Sequence, residues 1–488
     1  MSNQKPSLCQ ALARYGILCG LGAALGLLVL PTAKNASGQT LAPNIDLSPT
    51  IHDNGHHVRG NEAGDDRAVR LLKVIPVPGT NANATNGKLY SFDISWVDQE
   101  TQTYYLADRS NAVIDVVDAK TDIFAGQIPG GFAGVAVVGG VATTAQSGPN
   151  GVVSGGRCLF ATDFRSGSGG RVVSFDLTAA FPPPVVGSVF TGGTGRADEL
   201  AYDPRDGLLL VINNADTPPF GTFIKVNKAT CGLTVGTKIP LNTANGVDAQ
   251  AGAEQPVWEP DTGKFYLSIP QIGSTVSHGG VVSIAPNGTK WTVLAGIDFC
   301  GPAGLTVGPK QDLFVGCNTV FDTAGNVWSP GGTVTAAPQA VIVDAKTGAI
   351  DAHVYGVGAG DEVWFNAGDG NYYATGSGSP FRPIAVVGTP PIPQTAQGST
   401  PLGVVDSRDQ TVLQLVTTFN VPAVGTGNSS TQHPAGTAHS VAANARNNHV
   451  FVPLAANNAF SAFAVPGGGS VADCETGCIA VFGHPDED

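Results

Sequence analysis

The sequence predicts an all-β fold, a seven-bladed β-propeller, from three observations. A phrase that reads as a strand, a tight turn and a second strand occurs seven times, with turns rich in Asp, Asn, Gly and Pro. The copies recur every 48 to 78 residues, which is typical of four-stranded units with loop insertions. Glycine is frequent, at 65 residues, and methionine nearly absent, at 1, as suits short strands and turns. The copies begin at Asp93, Asn150, Asp198, Glu254, Ala303, Asp361 and His439.

A second hairpin follows each phrase and completes a four-stranded blade. In the first blade it is AVIDVVDAKTDIFAGQI, and AVIVDAKTGAIDAHVYG stands in the same place later in the chain. The last phrase is followed by a looser strand and CIAVFG only, so its blade lacks an outer strand. The strand-like RLLKVIPV precedes the first blade. We therefore predict that residues 68–79 supply that strand, and that N- and C-terminal strands together close the ring.

The N-terminal segment is typical of export. Lys5 and Arg14 precede an apolar run from Tyr15 to Leu30, which predicts a secretory signal peptide over residues 1–33. An uncleaved anchor is the competing interpretation. Residues 34–67 are a polar, flexible leader, and residues 68–488 form the propeller, a single unit because each blade packs on two neighbours. We expect a secreted or periplasmic protein without membrane contact after signal removal.

Six cysteines follow the predicted signal peptide, an even number that suggests disulfides in an exported protein. One pair brackets a hairpin, a second brackets the loop ETG, and the third pair is then left in neighbouring blades. A zinc site is the alternative, although no CxxC pair supports it. The predicted bridges are Cys300–Cys317, Cys474–Cys478 and Cys158–Cys231.

The charge and the loops limit the partners. A formal net charge of −13 argues against nucleic acid and anionic membranes as partners. A small-molecule substrate or ligand is expected, and the oligomeric state is left open.

Turns within each hairpin are short, whereas the connections on the opposite face are long, including a Pro-rich loop over 378–401. Long loops gathered on one face indicate a binding surface there.

The seven phrases each place one residue at the start of the innermost strand, at the mouth of the central channel on the long-loop face. Five of the seven can ionise and a sixth is an amide. Like charges so placed raise one another's pKa, and a bound cation relieves this. Oxygen ligands suit Ca²⁺ better than Mg²⁺ or Zn²⁺, although another divalent cation is not excluded. The predicted metal ligands are Asp93, Asn150, Asp198, Glu254 and Asp361.

Two residues are candidates for catalysis beside such a metal. His439 is placed to act as a general base or acid at the rim, and Glu254 is a catalytic candidate as well as a ligand. His278 and His433, in long loops, are weaker candidates.

Two alternatives need no metal. The polar residues can simply be solvated in the channel, or their carboxylates can accept backbone N–H bonds that tie adjacent blades together. A shift of one residue in the alignment replaces the set with Ile94, Gly151, Glu199, Gln255, Gly304, Glu362 and Ser440.

The repeat YLADRSNAVIDVVDAKT resembles those of the YVTN family of bacterial propellers, which are close to NHL and SMP-30-type propellers. The resemblance covers the repeat unit over most of residues 68–483 and implies the fold. SMP-30-like and gluconolactonase-like propellers hold a channel Ca²⁺ with Glu, Asn, Asn and Asp, whereas this chain has one Asn. The resemblance implies a metal-dependent hydrolase, lactonase-like or esterase-like. The alternative is a non-catalytic YVTN-type propeller that binds a protein, glycan or small ligand through its long-loop face.

Overall fold

The structure, a computed structural model, describes the larger part of the predicted propeller. The described residues are 69–138, 141–328, 336, 338–358, 360–375, 401–417, 438, 440–456, 474 and 476–484. The predicted signal peptide and leader, the Pro-rich loop up to residue 400, His433 and His439 lie outside these ranges.

The strands pair with their chain neighbours as antiparallel meanders of four. After β1 (Arg70–Pro76), the first sheet contains β2 (Ser95–Asp98), β3 (Thr103–Asp108), β4 (Val113–Asp118) and β5 (Ile123–Pro129). A separate hairpin follows, formed by β6 (Gly134–Val138) and β7 (Val141–Gly148). The second sheet contains β8 (Val152–Gly155), β9 (Cys158–Arg165), β10 (Gly169–Asp176) and β11 (Val185–Phe190). The third contains β12 (Leu200–Asp203), β13 (Leu208–Asn213), β14 (Phe220–Asn227) and β15 (Gly232–Pro240).

The later sheets repeat this order. The fourth contains β16 (Pro256–Glu259), β17 (Lys264–Ile269), β18 (His278–Ile284) and β19 (Thr292–Asp298). The fifth contains β20 (Cys300–Val307), β21 (Asp312–Val320), β22 (Gln339–Asp344) and β23 (Ile350–Tyr355). A parallel bridge between His278 and Cys300 joins these two into one hydrogen-bonded sheet. The sixth contains β24 (Val363–Asn366), β25 (Asn371–Thr375), β26 (Pro401–Asp406) and β27 (Thr411–Thr417).

The seventh sheet combines both ends of the chain. It contains β28 (Ala442–Asn444), β29 (His449–Leu454) and β30 (Cys478–Gly483), with β1 at its outer edge. β1 pairs antiparallel with β30, from Arg70 opposite Gly483 to Pro76 opposite Cys478. This is the pairing that the sequence predicts for residues 68–79. Within the ranges given above, helical structure is limited to short 3₁₀ turns such as Thr243–Asn245 and Pro309–Gln311. The same residues include no helix long and apolar enough to cross a bilayer.

Acidic side chains close the short turns between paired strands. Asp98 Oδ1 accepts hydrogen bonds from the backbone N–H groups of Glu100 and Thr101, at 3.0 and 2.9 Å. Asp203 Oδ1 does the same for the two residues that follow Pro204, at 2.8 and 3.3 Å. This is the reason that Asp recurs at these positions, because its short side chain satisfies the turn's N–H groups.

The core lies between successive sheets rather than in one central layer. Phe160 packs on Tyr202 between the second and third sheets, with ring centroids 5.2 Å apart. Tyr104 stacks on Phe451 at 4.9 Å, between the first and seventh sheets. The first strands of successive sheets also contact one another. These contacts are β2–β8, β8–β12, β12–β16, β16–β20, β20–β24, β24–β28 and β28–β2.

The three predicted disulfides are confirmed. Their Cα–Cα separations are 5.5 Å for Cys158–Cys231, 5.3 Å for Cys300–Cys317 and 4.8 Å for Cys474–Cys478, all within the range of bridged cysteines. The zinc alternative for these cysteines is wrong, because every one of the six is bonded to another. Cys158–Cys231 joins the second sheet to the third.

Candidate functional site in the central channel

The predicted polar residues precede the first strands of their sheets, at the end of the channel where the long connections lie. Together we call them the polar ring, and its members are Asp93, Asn150, Asp198, Glu254 and Asp361. Ala303 adds no polar group, and His439 lies outside the described residues. The structure brings three ring members together around two arginines that the sequence reasoning did not single out.

The first of these, Arg109, follows β3 and is 4% exposed. Its Nη2 forms an ion pair with Asp93 Oδ2, and its Nε donates to Asn150 Oδ1 at 2.9 Å. Burial lowers the pKa of Arg109, and the Asp93 carboxylate opposes that effect. The guanidinium therefore links the first strands of two neighbouring sheets from inside the channel.

The second, Arg196, stands two residues before Asp198. Its Nη2 lies 2.7 Å from Asp198 Oδ2, and its Nη1 lies 3.8 Å from Asp93 Oδ2. Burial raises the pKa of Asp198 to about 7, although Arg196 lowers it and Asp93 raises it further. The two carboxylates are thus held by cations that belong to the protein itself.

Asn150 is bonded at both ends of its amide. Besides accepting from Arg109, it donates through Nδ2 to Ala197 O at 2.8 Å and to Ser147 O at 3.2 Å. Its side chain is fully buried. These contacts fix the amide as a link between sheets.

Glu254 and Asp361 form the more acidic side of the polar ring. Burial, followed by repulsion from Asp361 and Asp198, raises the pKa of Glu254 well above its usual value. Asn318 Nδ2 lies 3.4 Å from Asp361 Oδ1. Within the described part of the chain, no three His, Cys, Asp or Glu side chains are grouped as a metal centre. The two arginines also act on this pair, because Arg196 lowers the pKa of Glu254 and Asp361 raises that of Arg109.

One residue further along each phrase, the side chains tie sheets together. Glu362 Oε2 accepts from Ser95 N and Oγ, both at 3.1 Å, from Ser440 Oγ at 2.5 Å and from Val441 N at 3.2 Å. One buried carboxyl of the sixth sheet thereby binds the first and seventh sheets. Burial raises the pKa of Glu362 to about 8. This is the inter-blade role proposed above as an alternative, carried out by the residue next to the ring member Asp361.

Gln255 has a similar place beside Glu254. Its Oε1 accepts from Leu305 N at 2.6 Å and from Val363 N at 3.4 Å. A side chain of the fourth sheet thus reaches the first strands of the fifth and sixth sheets. Such bonds satisfy backbone groups that face the channel.

Next to this layer lies a cavity of about 390 Å³, which we call the aromatic cavity. Glu199, Gln255 and Glu362 line it, and so does Pro204, in the turn between β12 and β13. The cavity therefore extends toward the short-turn end, opposite to the face that the loop lengths favoured. The rings that line it are Trp96, Tyr202, Trp258, Trp364 and Phe365.

The indoles keep a defined arrangement. Trp96 and Trp364 are partly exposed and meet edge to face, with centroids 5.1 Å apart. Trp96 Nε1 donates to Ser154 Oγ at 2.9 Å, and that hydroxyl donates to Asp98 Oδ2 at 2.6 Å. The sequence signal for these rings is an aromatic residue at the fourth or fifth position of four of the seven phrases, which begin DISW, DELAY, EQPVW and DEVWF.

Glu199 connects the polar ring to the aromatic cavity. It is 3% exposed and lines the cavity, and its Oε2 is buried without a hydrogen bond from any described residue. Burial, followed by repulsion from Asp198 and Glu254, raises the pKa of Glu199 well above its usual value.

The weaker histidine candidate that the structure describes lies elsewhere. His278 begins β18, and its Nδ1 is 2.6 Å from Asp298 Oδ1 at the end of the outer strand β19. Its ring is thus held by the outer strand of its own sheet, and His278 is not among the residues that line the aromatic cavity. His52, His56, His57 and His433 are outside the described residues.

Four-stranded meanders whose first strands contact one another around a channel define the class: the protein is a β-propeller. Among solved structures, hydrazine synthase of Kuenenia stuttgartiensis is similar to it at 12% identity, covering 77% of this chain and 95% of that chain with a TM-score of 0.50. A Dos1 propeller is 9% identical, over 84% of this chain and 95% of that chain, with a TM-score of 0.45. A Myceliophteria thermophila Cps50 (Swd1) β-propeller domain is 8% identical, over 84% and 99%, with a TM-score of 0.44.

These similarities concern the fold and not the activity. At 12% identity the first shows the fold alone, and TM-scores of 0.45 and 0.44 are too low to support an inference. No protein-family model and no curated protein matches the sequence. The particular function must therefore be inferred from the channel.

Proposed function

We propose that the chain is an exported seven-bladed β-propeller that binds a small ligand in its aromatic cavity, without catalysis. The observation that carries this proposal is the cavity itself. Its volume of about 390 Å³ falls within the roughly 300–1,000 Å³ of small-molecule sites, and such sites are mostly apolar with a few polar groups. Three partly exposed indoles and the buried polar side chains of Glu199 and Gln255 supply that combination.

The number of blades and the closure of the ring are supported by the strand contacts. Each sheet has a first strand that contacts those of two others, and β28 contacts β2. The seventh sheet takes its outer strand from β1, and Glu362 ties it to the sixth and first sheets. These contacts are those of a ring of seven units in which each apolar face is covered by a neighbour.

Export and a YVTN-type origin of the repeat complete the proposal. Three disulfides favour an oxidising compartment, in agreement with the signal peptide predicted over residues 1–33. The YVTN-like repeat YLADRSNAVIDVVDAKT spans β3 and β4, with its turn between them.

The binding function is tested by ligand-observed NMR with soluble neutral, anionic and cationic fragments on the mature protein. We expect at least one class of fragment to bind the wild type and to lose binding in Trp364→Ala. Tyr355→Ala is the matched control, because Tyr355 is 54% exposed and lies outside the cavity. A screen without binders, or binders that are indifferent to Trp364→Ala, contradicts the proposal.

Metal-dependent hydrolysis at the polar ring is the second candidate function. It is favoured by the mutual repulsion of Glu254, Asp361 and Asp198, which a divalent cation would relieve. Glu254 and Asp361 would then hold Ca²⁺, which would polarise the carbonyl oxygen of a lactone or ester. Asp93 and Asn150 would take part only by leaving Arg109, and His439 keeps its predicted role as base or acid.

Calcium titration tests the metal site that the second candidate requires. A site at Glu254 and Asp361 predicts that the melting temperature of the wild type rises with Ca²⁺ and falls with EDTA. At a Ca²⁺ concentration of one hundred times Kd, binding should add about 2.7 kcal/mol to the free energy of unfolding. Glu254→Gln should abolish the effect, whereas Glu100→Gln, at an exposed turn, should not. Identical melting curves with Ca²⁺ and EDTA would remove this candidate. A catalytic role requires in addition lactone or ester turnover that Glu254→Gln abolishes.

A further inference from the structure

We propose that the ligand of the aromatic cavity is an organic cation, a quaternary ammonium or protonated alkylamine that packs on the indole faces with its charge near Glu199. The inference rests on the proposed binding function and names the chemical class of the ligand. It depends on the residues in and around the cavity. It does not depend on the long loops, or on whether the polar ring binds a metal.

The first observation is the state of Glu199. This carboxyl is 3% exposed, lines the cavity, and has an oxygen without a hydrogen bond among the described residues. A buried acceptor in that state is unfavourable, by roughly 1–3 kcal/mol, and more if it is charged. A neutral apolar ligand would leave the oxygen unsatisfied, and an anion would be repelled. A cation, or an N–H donor on one, would satisfy it.

The second observation is the arrangement of aromatic rings. Trp96, Trp258 and Trp364 line the same cavity and are each partly exposed. Tryptophan faces attract cations most strongly among the aromatic side chains. One ring already shows this behaviour, because the guanidinium carbon of Arg205 lies 5.1 Å from the centroid of the Trp258 ring.

The third observation is the surrounding charge. Repulsion from Asp198, Glu254, Asp361 and Asp93 adds to burial in raising the pKa of Glu199. The two arginines of the channel, by contrast, are engaged with Asp93 and Asp198. Around Glu199 these four carboxyls therefore outnumber the two arginines, and a cationic ligand would add positive charge. A bare metal ion fits this cavity less well, because indoles offer it no oxygen ligands.

Isothermal titration calorimetry on the mature, disulfide-bonded protein tests the inference with matched pairs of probes. Choline is compared with 3,3-dimethylbutan-1-ol, its neutral isostere, and n-butylammonium with butan-1-ol. We expect at least one cation to bind tenfold or more tightly than its neutral partner. Glu199→Gln, which keeps the shape but cannot become an anion when a cation binds, should abolish that preference by weakening the binding of the cation more than that of its neutral partner.

The controls separate the two proposals. Glu100→Gln removes the same charge from an exposed turn and should keep the preference for the cation. The melting temperature of Glu199→Gln establishes that the variant is folded, and Trp364→Phe should weaken both members of each pair if they occupy the cavity. Equal affinity for a cation and its isostere, or a preference that survives in Glu199→Gln, overturns the organic-cation inference and leaves the binding function intact. Failure of all four probes also overturns the inference, whereas the binding function falls only if the fragment screen finds no cavity ligand.

Discussion

At the scale of single residues, two buried arginines determine the chemistry of the polar ring. Aligned carboxylates at one channel mouth indicate a cation, and the structure supplies two guanidinium groups to Asp93 and Asp198. Arg109 also binds Asn150, so one side chain neutralises a carboxylate and connects two sheets. The desolvation cost of burying these charged groups is offset only while each keeps its partner.

Removing one of these cations should be strongly destabilising. Arg109→Met removes the cation closest to the buried Asp93, and we expect the free energy of unfolding to fall by about 3–5 kcal/mol. Asp93→Asn in the same chain should recover part of the loss, because the uncompensated charge is then gone. Urea denaturation measures both. Arg408→Met, at an 82% exposed side chain, should cost about 1 kcal/mol or less, and an equal loss in both variants would contradict the role of Arg109.

Glu362 should make stability depend on pH. Its folded pKa of about 8 lies above the ordinary value of 4.5, so the folded state binds the proton more tightly than the unfolded state. The stability contributed by this proton is complete below pH 4.5 and is lost as pH rises through about 8, with a slope of at most about 1.4 kcal/mol per pH unit. Glu362→Gln should remove this component. The prediction fails if wild type and variant lose stability in parallel over that range in urea denaturation, with Glu100→Gln as the charge control.

At the scale of elements, β1 is an edge strand that stabilises the seventh sheet. Val74 and Ile75 are 2% and 3% exposed, and β1 covers the otherwise free edge of β30. A chain that begins at residue 79 should lose about 1.5–3 kcal/mol for each buried side chain removed and expose a strand edge that favours aggregation. A chain that begins at residue 68 should melt like the full mature protein. Equal melting temperatures for the two truncated chains would show that β1 is dispensable.

The disulfides should differ in how much they contribute to the free energy of unfolding, because they close chain segments of different length. Cys158–Cys231 spans 73 residues and joins two sheets, whereas Cys474–Cys478 spans 4. Loop-closure entropy then predicts losses of about 4 and about 2 kcal/mol for the respective double alanine variants. Denaturation under non-reducing conditions measures both. The reverse order would show that local packing, and not chain entropy, dominates.

At the scale of the whole molecule, the channel has two chemically different ends. The end that carries the long connections holds the polar ring with Arg109 and Arg196, and the short-turn end holds the aromatic cavity. Glu199, Gln255 and Glu362 lie between them. A propeller produces this layering because the first strands of all its sheets lie side by side around the channel, so that equivalent positions of different sheets meet at the same depth.

Much of the architecture was determined by the sequence alone. The pairing of residues 68–79 with the last strands follows from the outer strand that the last phrase lacks. The strand–turn–strand phrases and the bridges Cys300–Cys317 and Cys474–Cys478 depend on local signals: Asp-closed turns, alternating apolar residues, and cysteines close together in the chain. Such signals can be recognised within a few residues of chain, because turn geometry and strand periodicity are local properties.

The site was decided by the tertiary structure. Glu362 and Ser95 are 267 positions apart in sequence and bond only because the sheets meet around the channel. Arg109 could not be assigned to Asp93 and Asn150, nor Glu199 to the tryptophan-lined cavity, from a pattern of single phrases. Which side chains of different sheets meet depends on where each one points and how deep it lies in the assembled channel. Strand periodicity specifies the direction of a side chain within its own sheet, but not its position relative to the other sheets.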